Sequence, residues 1–471
     1  MNKVVMSLIT NIRHHHHYTP LSMEKYTIDK MWILRKDIGY ANSHIIFNPE
    51  TRKLYQLTPG LYSILKLFYR NAFSFEDIAS YLSNNGINIS LQELCSLPEK
   101  MGLTDVLVQR DSPYHRHHED FDTNTISSLV PVTTTPMDVE LLLTHNCNLR
   151  CKHCFQMSQS NSDKRKHLSV DEWTSIFKEF ERLGVLSVII TGGEPLAYEG
   201  FENLLNEIAN YNIAINILTN GLLINNRNLN LFLRPNIALT ISLDGCNAEE
   251  HEAIRGKGTF SKTCEIIRLL TSNGADLNIA HTINNNNKSS LEEFIQFIIS
   301  LGVVNLSINF VEPEGRAAEN KSLILSKEEE QNVHALIETL TEKYKNYIHI
   351  DFPSLAYKQE VQSFSNTNLI YCAAGTKRIS ISSDGKVYPC VYAQGIPSLE
   401  KGDLRNQPLS EIWQDNNRWL LQRGGITLDQ IEKCNDCQLA TQCSLRNCRI
   451  KHYNKVQGLY AKPYNCLSDK L

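Results

Sequence analysis

The distribution of cysteine constrains this chain more than any other feature. The sequence has 13 cysteines in 471 residues, and three of them fall within eight residues, at Cys147, Cys151 and Cys154. Seven more lie between Cys372 and Cys466. Disulfides are rare in reducing compartments, and the N-terminus lacks the apolar core and small-residue cleavage site of a secretory signal. We therefore interpret the grouped cysteines as metal ligands and expect a cytoplasmic location.

The length and charge of the chain narrow its class. At roughly 100–200 residues per domain, 471 residues correspond to about three domains, and 42% hydrophobic residues supply a core for each. The 47 Lys and Arg against 51 Asp and Glu leave a net charge of −4, so we expect no nucleic-acid partner. No run approaches the ~20 apolar residues of a membrane helix, so we expect no membrane partner.

The first cysteine group follows an apolar run with strand character, Val139–Leu143, and reads Cys-x3-Cys-x2-Cys before an aromatic residue, Phe155. Three thiolates on one short loop can bind three irons of a cubane [4Fe–4S] cluster and leave the fourth iron open to a substrate. The alternative is a structural zinc site. Such a site needs four ligands, usually in Cys-x2-Cys pairs, and the sequence shows no fourth ligand nearby.

Strand and helix patterns alternate after this loop. Ser169 and Glu172 form a capping-box pattern before an amphipathic helix, and small or polar residues end the apolar runs, as in Gly192–Pro195 and Ser242–Gly245. The alternation is typical of an α/β fold with a parallel barrel whose chemistry gathers at the carboxyl ends of the strands. We predict six strands near 138–143, 186–191, 213–218, 237–243, 277–283 and 304–311.

These motifs resemble the radical S-adenosylmethionine (SAM) superfamily over residues 136–351. The matching pieces are the three cysteines, Gly192–Pro195, and Ser242–Gly245 followed by His251 and Arg255; Gly315–Ala317 also resembles the family. The resemblance implies a partial (β/α)6 barrel whose cysteines hold a cluster. The open iron of that cluster chelates SAM, and SAM is cleaved to a 5′-deoxyadenosyl radical that abstracts hydrogen.

The resemblance also implies residues that bind SAM: Gly192, Gly193, Glu194, Ser242, Asp244 and Arg255. Of these, Gly192–Glu194 would meet the amino group of SAM. Ser242 and Arg255 would contact its ribose and carboxylate side. An external electron donor such as a flavodoxin or ferredoxin is expected as a partner.

The second cysteine group, in residues 352–471, resembles the SPASM extension, which holds two auxiliary [4Fe–4S] clusters and would bring the total to three. One or two zinc ribbons are the alternative. The resemblance implies an outer cluster bound by Cys434, Cys437, Cys443 and Cys466. It implies an inner cluster bound by Cys372, Cys390 and Cys448.

Two cubanes need eight ligands, and this region has seven cysteines. The inner cluster would then have an open iron, which prefers a soft thiolate. A cysteine of the substrate could bind there while a nearby carbon is attacked, which would give a thioether. Alternatively, a His, an acid, a backbone group or water fills the position and the cluster only relays electrons.

Residues 23–110 have a different pattern. His44–Phe47 and Lys53–Leu57 predict a hairpin, and Thr58-Pro59, Ser74 and Ser90 begin three predicted helices, before a strand at Leu103–Val108. The order is winged-helix-like, and few basic residues on the first two helices disfavour DNA binding. It resembles the peptide-recognition element typified by the small peptide chaperone of pyrroloquinoline quinone biosynthesis, which binds leader peptides as an added strand.

The remaining segments are assigned more simply. We interpret residues 1–22, with His14–His17, as a mobile tail, and residues 111–135 as a polar linker. Cys246 lies at the barrel rim and could donate hydrogen, but packing is the favoured role. Cys95 and Cys264 are expected in cores.

Together, the three modules predict a maturase of a ribosomally made peptide that installs an intramolecular thioether, as sactipeptide and ranthipeptide maturases do. The leader of the precursor peptide would bind the N-terminal domain. Carbon–carbon or carbon–oxygen cross-linking, or epimerisation, of the same kind of substrate is the first alternative. A non-catalytic iron–sulfur redox sensor is the second, and the SAM-binding motifs argue against it.

Overall fold

The computed structural model describes residues 24–37, 43–114, 132–160, 167–352, 369–370, 372–424 and 426–432, together with Cys434, Cys437 and Ile450. The histidines at 14–17 and three predicted cluster ligands lie outside the described residues: Cys443, Cys448 and Cys466. Among the helices of the described ranges, none combines the length and apolar character needed to cross a membrane.

The N-terminal domain contains five strands and three helices. The strands are β1 (Tyr26–Ile28), β2 (Ile33–Asp37), β3 (Ser43–Phe47), β4 (Leu54–Leu57) and β5 (Leu107–Gln109). The helices are α1 (Pro59–Arg70), α2 (Phe75–Asn84) and α3 (Leu91–Lys100). Strands β2, β3 and β4 form an antiparallel sheet in that order, which confirms the predicted hairpin, and β1 pairs with β5.

Local capping explains where these helices begin. The Thr58 side chain accepts a hydrogen bond from Leu61 N with Pro59 in the first turn, and Ser74 and Ser90 each form a capping box. The strand predicted at Leu103–Val108 was wrong in its extent. Leu103 and Val106 are buried in the domain core, and their N–H groups donate to the carbonyl oxygens of Pro98 and Leu103 rather than to a neighbouring strand, so the strand begins only at Leu107.

The central domain is a parallel sheet covered by helices. Its strands are β6 (Asp138–Leu142), β7 (Ser187–Thr191), β8 (Ala214–Thr219), β9 (Ile237–Ser242), β10 (Asp276–Ile283), β11 (Asn305–Phe310) and β12 (His349–Asp351). Its helices are α4 (Val170–Leu183), α5 (Phe201–Ile208), α6 (Ala248–Arg255), α7 (Thr259–Ser272), α8 (Leu291–Ser300) and α9 (Lys327–Tyr344). The first six strands match the predicted positions, and β12 adds a seventh parallel strand at the edge.

Side chains alternate between the two faces of this sheet. On β6, Val139 and Leu141 are fully buried and belong to the core formed with the helices, where Trp173 and Phe177 of α4 are also buried. Glu140 and Leu142 lie on the opposite face, the interior of the partial barrel. The chain therefore places apolar residues under the helices and mixes polar residues into the interior.

The C-terminal region extends the same sheet. Its elements are β13 (Leu369–Ile370), β14 (Arg378–Ile381), β15 (Lys386–Tyr388), β16 (Gly402–Asp403), α10 (Leu409–Gln414), α11 (Leu420–Arg423) and β17 (Ile426–Thr427). Strand β14 pairs in parallel with β6, so β12 through β6 and β14 through β16 form one sheet of ten strands. The barrel and the start of the cysteine-rich region thus share a hydrogen-bonded sheet.

The N-terminal domain packs against the amino ends of the barrel strands. Three apolar residues of β2 and β3 form a core cluster with residues at the starts of β6, β7 and β8: Ile33, Ile45, Phe47, Met137, Leu186 and Ala214. Buried Arg35 pairs with Asp37 and donates hydrogen bonds to the carbonyl oxygens of Thr135 and Gly184 at 2.9 and 2.7 Å. The domain therefore lies at the opposite end of the strands from the cysteine loop.

Candidate functional site

The cysteine loop leaves the carboxyl end of β6, as predicted. Cys151 is buried and Cys147 and Cys154 are partly buried, and the Cys154 N–H donates to the Cys151 carbonyl oxygen at 3.3 Å. Within the described ranges, no three His, Cys, Asp or Glu side chains are close enough to share a single metal ion. Each cysteine of a cubane binds a different iron, so this spacing suits a cluster better than zinc.

Burial makes two of these thiols, Cys147 and Cys151, less acidic. Burial raises the pKa of Cys147 to about 12 and raises the pKa of Cys151 as well, and the neighbouring thiolates add to both shifts. Ligand thiols must lose their protons to bind metal. The loop thus needs a strongly positive group such as an iron cluster to hold three thiolates together.

Gly192 and Gly193 allow the loop after β7 to lie directly against the cysteine loop. The Gly193 N–H donates to Thr144 O at 2.7 Å, and a Cβ at Gly193 would lie 2.2 Å from Asn146 O. Gly192 has φ +137°, and a Cβ there would lie 2.3 Å from Thr144 O. The motif therefore has a structural reason for two glycines.

Glu194 connects the loops after β7 and β8. Its side chain is buried and accepts hydrogen bonds from Thr219 Oγ1 at 2.6 Å, Asn220 N at 2.8 Å and Leu196 N at 3.2 Å. Burial raises the pKa of Glu194 to about 7, although these hydrogen bonds and Arg255 oppose the shift. The fold thus joins Gly192–Pro195 to Thr219–Gly221, the loop after the next strand, a contact that the sequence alone does not indicate.

Asp244 and Arg255 form an ion pair beside the cysteine loop. Arg255 Nε lies 2.7 Å from Asp244 Oδ2, and Arg255 Nη1 lies 3.9 Å from Cys151 Sγ. Asp244 also contacts His153 Nε2 at 3.2 Å and accepts from Thr282 N at 2.9 Å. Burial alone would raise the pKa of Asp244, but Arg255 and His153 hold it well below its usual value. Both carboxylate oxygens are occupied by protein groups.

A further loop clamps the cysteine loop from the side of β11. Arg316 Nε donates to Cys151 O at 2.8 Å and Arg316 Nη2 donates to Ser158 O at 2.8 Å. A Cβ at Gly315 would lie 2.4 Å from Cys154 O. Sequence reasoning noted Gly315–Ala317 but missed this clamping role, because the contact joins residues more than 150 positions apart.

The C-terminal cysteines are only partly described. Cys372 is exposed, Cys390 and Cys437 are partly buried, and Cys434 is buried. Tyr392, two residues after Cys390, makes an edge contact with Phe155, which follows Cys154, at 4.7 Å between ring centroids. Tyr392 Oη also donates to Glu312 Oε2 at 3.2 Å. These contacts link the first cysteine loop to the region of the predicted inner cluster.

The three other cysteines lie apart from these groups. Cys264 is buried in the barrel core, and Cys95 and Cys246 are partly buried against their cores. Cys246 Sγ lies 3.6 Å from Glu250 Oε2, and burial raises its pKa. Its surroundings agree with the favoured packing role.

The sequence of this chain is similar to those of known proteins. The family model for the radical SAM superfamily matches residues 141–298, and the model for the SPASM iron–sulfur cluster-binding domain matches residues 372–438. The mycofactocin maturase MftC of Mycolicibacterium smegmatis is 30% identical over 275 residues, which cover 58% of this chain and 68% of the relative. The chain belongs to the radical SAM superfamily. Its radical SAM domain binds SAM and a [4Fe–4S] cluster, and its SPASM domain binds auxiliary iron–sulfur clusters.

Other radical SAM relatives match similar spans. The antilisterial bacteriocin subtilosin biosynthesis protein AlbA of Bacillus subtilis is 28% identical over 258 residues, 54% of this chain and 55% of AlbA. The PqqA peptide cyclase of Rhizobium meliloti is 25% identical over 314 residues, 66% of this chain and 81% of the cyclase. The structure of SuiB from Streptococcus suis bound to SAM has a TM-score of 0.69 and 18% identity, covering 94% of this chain and 100% of SuiB. This likeness confirms the radical SAM fold.

Proposed function

We propose that this radical SAM enzyme matures a ribosomally made precursor peptide by forming an intramolecular thioether. The observation that carries the proposal is the combination of both cysteine groups with relatives named for peptide modification. Those relatives include a peptide cyclase, a bacteriocin biosynthesis protein and a mycofactocin maturase. SuiB, which shares the fold over 93% of this chain, has also been crystallised with its precursor peptide SuiA.

Different residues of the barrel rim would bind the cluster and SAM. When bound, SAM and its cluster supply a 5′-deoxyadenosyl radical. Cys147, Cys151 and Cys154 would hold the cluster. The N–H groups of Gly193 and Glu194 already donate to the cysteine loop, so the carbonyl oxygens of the glycine motif are left to accept from the SAM ammonium group. Ser242 and Arg255 would face its ribose and carboxylate.

Asp244 has a different place in this proposal. Because its two oxygens are occupied by Arg255, His153 and Thr282, it would orient Arg255 rather than touch SAM itself. Glu194 is likewise saturated by three donors from the protein. Its carboxylate would fix the rim loops on which the ammonium group rests.

The cysteine count supports a thioether product. Seven cysteines in the C-terminal region are one short of two complete cubanes, which leaves an open position for a thiolate of the substrate. The exposure of Cys372 and the contact between Tyr392 and Phe155 favour an inner site open to the substrate and close to the first cluster loop. Carbon–carbon or carbon–oxygen cross-linking is the second candidate, favoured by the similarity to PqqA peptide cyclases.

The N-terminal domain would hold the leader of the precursor. Its three-stranded sheet has β2 and β4 at its edges, and a leader peptide could add a strand at such an edge. A flavodoxin or ferredoxin would supply the electron for each SAM cleavage. Deleting residues 1–110 should then weaken precursor binding without changing the masses of any modified peptides.

The test is anaerobic co-expression with the short peptides encoded beside the gene, followed by high-resolution mass spectrometry and thiol alkylation. A thioether removes two hydrogens and one alkylatable thiol. Loss of two hydrogens with every thiol still alkylatable would support the second candidate, and unchanged mass with inverted stereochemistry would indicate epimerisation. Unmodified peptides from iron-replete enzyme would refute the proposal.

Two variants separate the clusters. Holoenzyme with three cubanes should contain about 12 iron atoms per chain. Joint replacement of Cys147, Cys151 and Cys154 by Ala should abolish deoxyadenosine formation. Cys372→Ala should still form deoxyadenosine but should not cross-link peptide, and a cross-linked product from this variant would contradict the proposed inner site.

A further inference from the structure

The interior face of the barrel carries polar side chains that the SAM site does not use. Four of them, on β8 to β11, satisfy one another. Thr240 Oγ1 donates to Asn216 Oδ1 at 3.1 Å, and Asn278 Nδ2 donates to Ser307 Oγ at 3.1 Å and lies 3.4 Å from Thr240 Oγ1. This chain of neutral groups needs no ligand to complete it.

Glu140 on β6 is different. Its neighbours Val139 and Leu141 pack under the helices, so its side chain is directed to the interior, where it is partly buried. In the described part of the chain, its carboxylate has no hydrogen bond and no ion pair. Arg378 is close enough to oppose the effect of burial, but Arg378 is paired with Asp138 at 3.7 Å and is exposed.

A second acceptor lies on the same side of the barrel. Ser380 of β14 is in register with Glu140 and donates to the Glu140 backbone oxygen at 3.2 Å. Gln394 Nε2 donates to Ser380 Oγ at 2.7 Å, and Gln394 Oε1 is buried with no donor among the described residues. Ser380 therefore links the backbone of Glu140 to the Gln394 side chain, and the Glu140 carboxylate and the Gln394 amide oxygen both lack a donor among the described residues.

We propose that Glu140 and Gln394 bind a cationic side chain, a lysine or arginine, of the peptide substrate inside the barrel. This inference rests on the proposed function and names a recognition element for it. A partly buried carboxylate without a hydrogen bond or a direct ion pair is costly, and a ligand with several N–H donors would neutralise the carboxylate and satisfy the amide oxygen together. Burial also raises the pKa of Glu140, which a bound cation would reverse.

The first test uses a side-chain mimic, so it needs no precursor. Butylammonium chloride is titrated into the oxidised holoenzyme and binding is followed by saturation-transfer NMR, with 1-butanol as the neutral probe. We expect butylammonium to bind and 1-butanol not to bind. Glu140→Gln should raise the Kd of butylammonium about tenfold or more, which is ~1.4 kcal/mol. The matched control is Glu265→Gln on the exposed face of α7, which should not change the Kd.

The outcomes decide the two proposals separately. Absence of butylammonium binding, or equal affinity in Glu140→Gln, would overturn the cation site whatever happens to peptides. If a peptide is cross-linked, each of its Lys and Arg residues is replaced by Gln. At one peptide position, this substitution should slow cross-linking by the wild-type enzyme about tenfold. The same peptide substitution should not slow cross-linking by the Glu140→Gln enzyme any further. A modified peptide with no such position would overturn the cation site and leave the maturase function standing.

Discussion

Arg255 Nε and Asp244 Oδ2 lie 2.7 Å apart in a buried ion pair whose guanidinium reaches to 3.9 Å from Cys151 Sγ. The pair joins the motif after β9 to the loop that we propose holds the SAM cluster. It therefore couples the end of β9 to Cys151, which we propose as a ligand of iron, and it explains why an Asp and an Arg 11 residues apart belong to one site.

Replacing Asp244 with Asn should destabilise both the fold and the cluster. The change leaves the Arg255 guanidinium buried without its counter-charge, which costs about 3–5 kcal/mol for a pair of this kind. We expect a lower thermal midpoint and less iron retained per chain after gel filtration. Asp111→Asn, at an exposed position, is the charge-matched control. A variant at Asp244 with wild-type stability and iron content would show that the pair is dispensable.

Glu194 should make apo-protein stability depend on pH. Its pKa is raised from 4.5 to about 7 by burial, so its contribution is fully present below about pH 4.5 and is lost as the pH rises through about 7. The change amounts to about 3 kcal/mol. Thermal midpoints measured across this window should fall with pH more steeply in wild type than in Glu194→Gln. Equal slopes, or a Glu194 carbon-13 titration centred near 4.5, would disprove the shifted pKa.

Gly193→Ala should prevent assembly of the SAM cluster. The added Cβ would lie 2.2 Å from Asn146 O, so the cysteine loop must move away from the glycine motif. We expect about 8 iron atoms per chain instead of about 12, because the auxiliary clusters stay bound. Gly274→Ala is the control for backbone strain, because Gly274 has φ +74° but lies before the amino end of β10, and a Cβ there would meet nothing within 4 Å. Full iron content in Gly193→Ala would contradict the close approach of the two loops.

Arg35→Ala should loosen the N-terminal domain from the barrel. Arg35 is 3% exposed and bonds both Asp37 and the carbonyl oxygens of Thr135 and Gly184, so its loss leaves the buried Asp37 carboxylate without its counter-charge. We expect a cost of about 3–5 kcal/mol and faster amide exchange in β2 and β3. Lys36→Ala, the exposed neighbour on the same strand, should change neither property.

Local sequence patterns predicted several helices and the first six barrel strands but not the contacts between the elements. The capping box of Ser90 and Glu93 and the six barrel strands follow from residues close together in the chain. The placement of Asp244 does not, because a motif does not show which way its side chain points. The resemblance implied that Asp244 contacts SAM, which remains a prediction, and the structure adds that Arg255 and the Thr282 N–H bind its carboxylate.

The sequence also did not show which residues become buried where two domains pack together. Arg35 lies in a short strand where an arginine would ordinarily be assigned to the surface, and its burial depends on carbonyl groups about 100 and 149 positions away. The strand expected at Leu103–Val108 failed for a similar reason. Its apolar residues lie in a turn and fill the domain core. Neither the spacing of apolar residues nor β-propensity can distinguish such a turn from a strand.

The pairing of β14 with β6 limits where the chain can be truncated. A fragment that stops after β12 would leave β6 as a bare edge, with unpaired N–H and C=O groups beside Val139 and Leu141. The exposed edge of such a fragment would promote aggregation. Failure to purify the fragment would therefore not test whether the barrel cleaves SAM. Domain exchange between homologues should therefore carry the barrel and residues 372–424 as a single cassette.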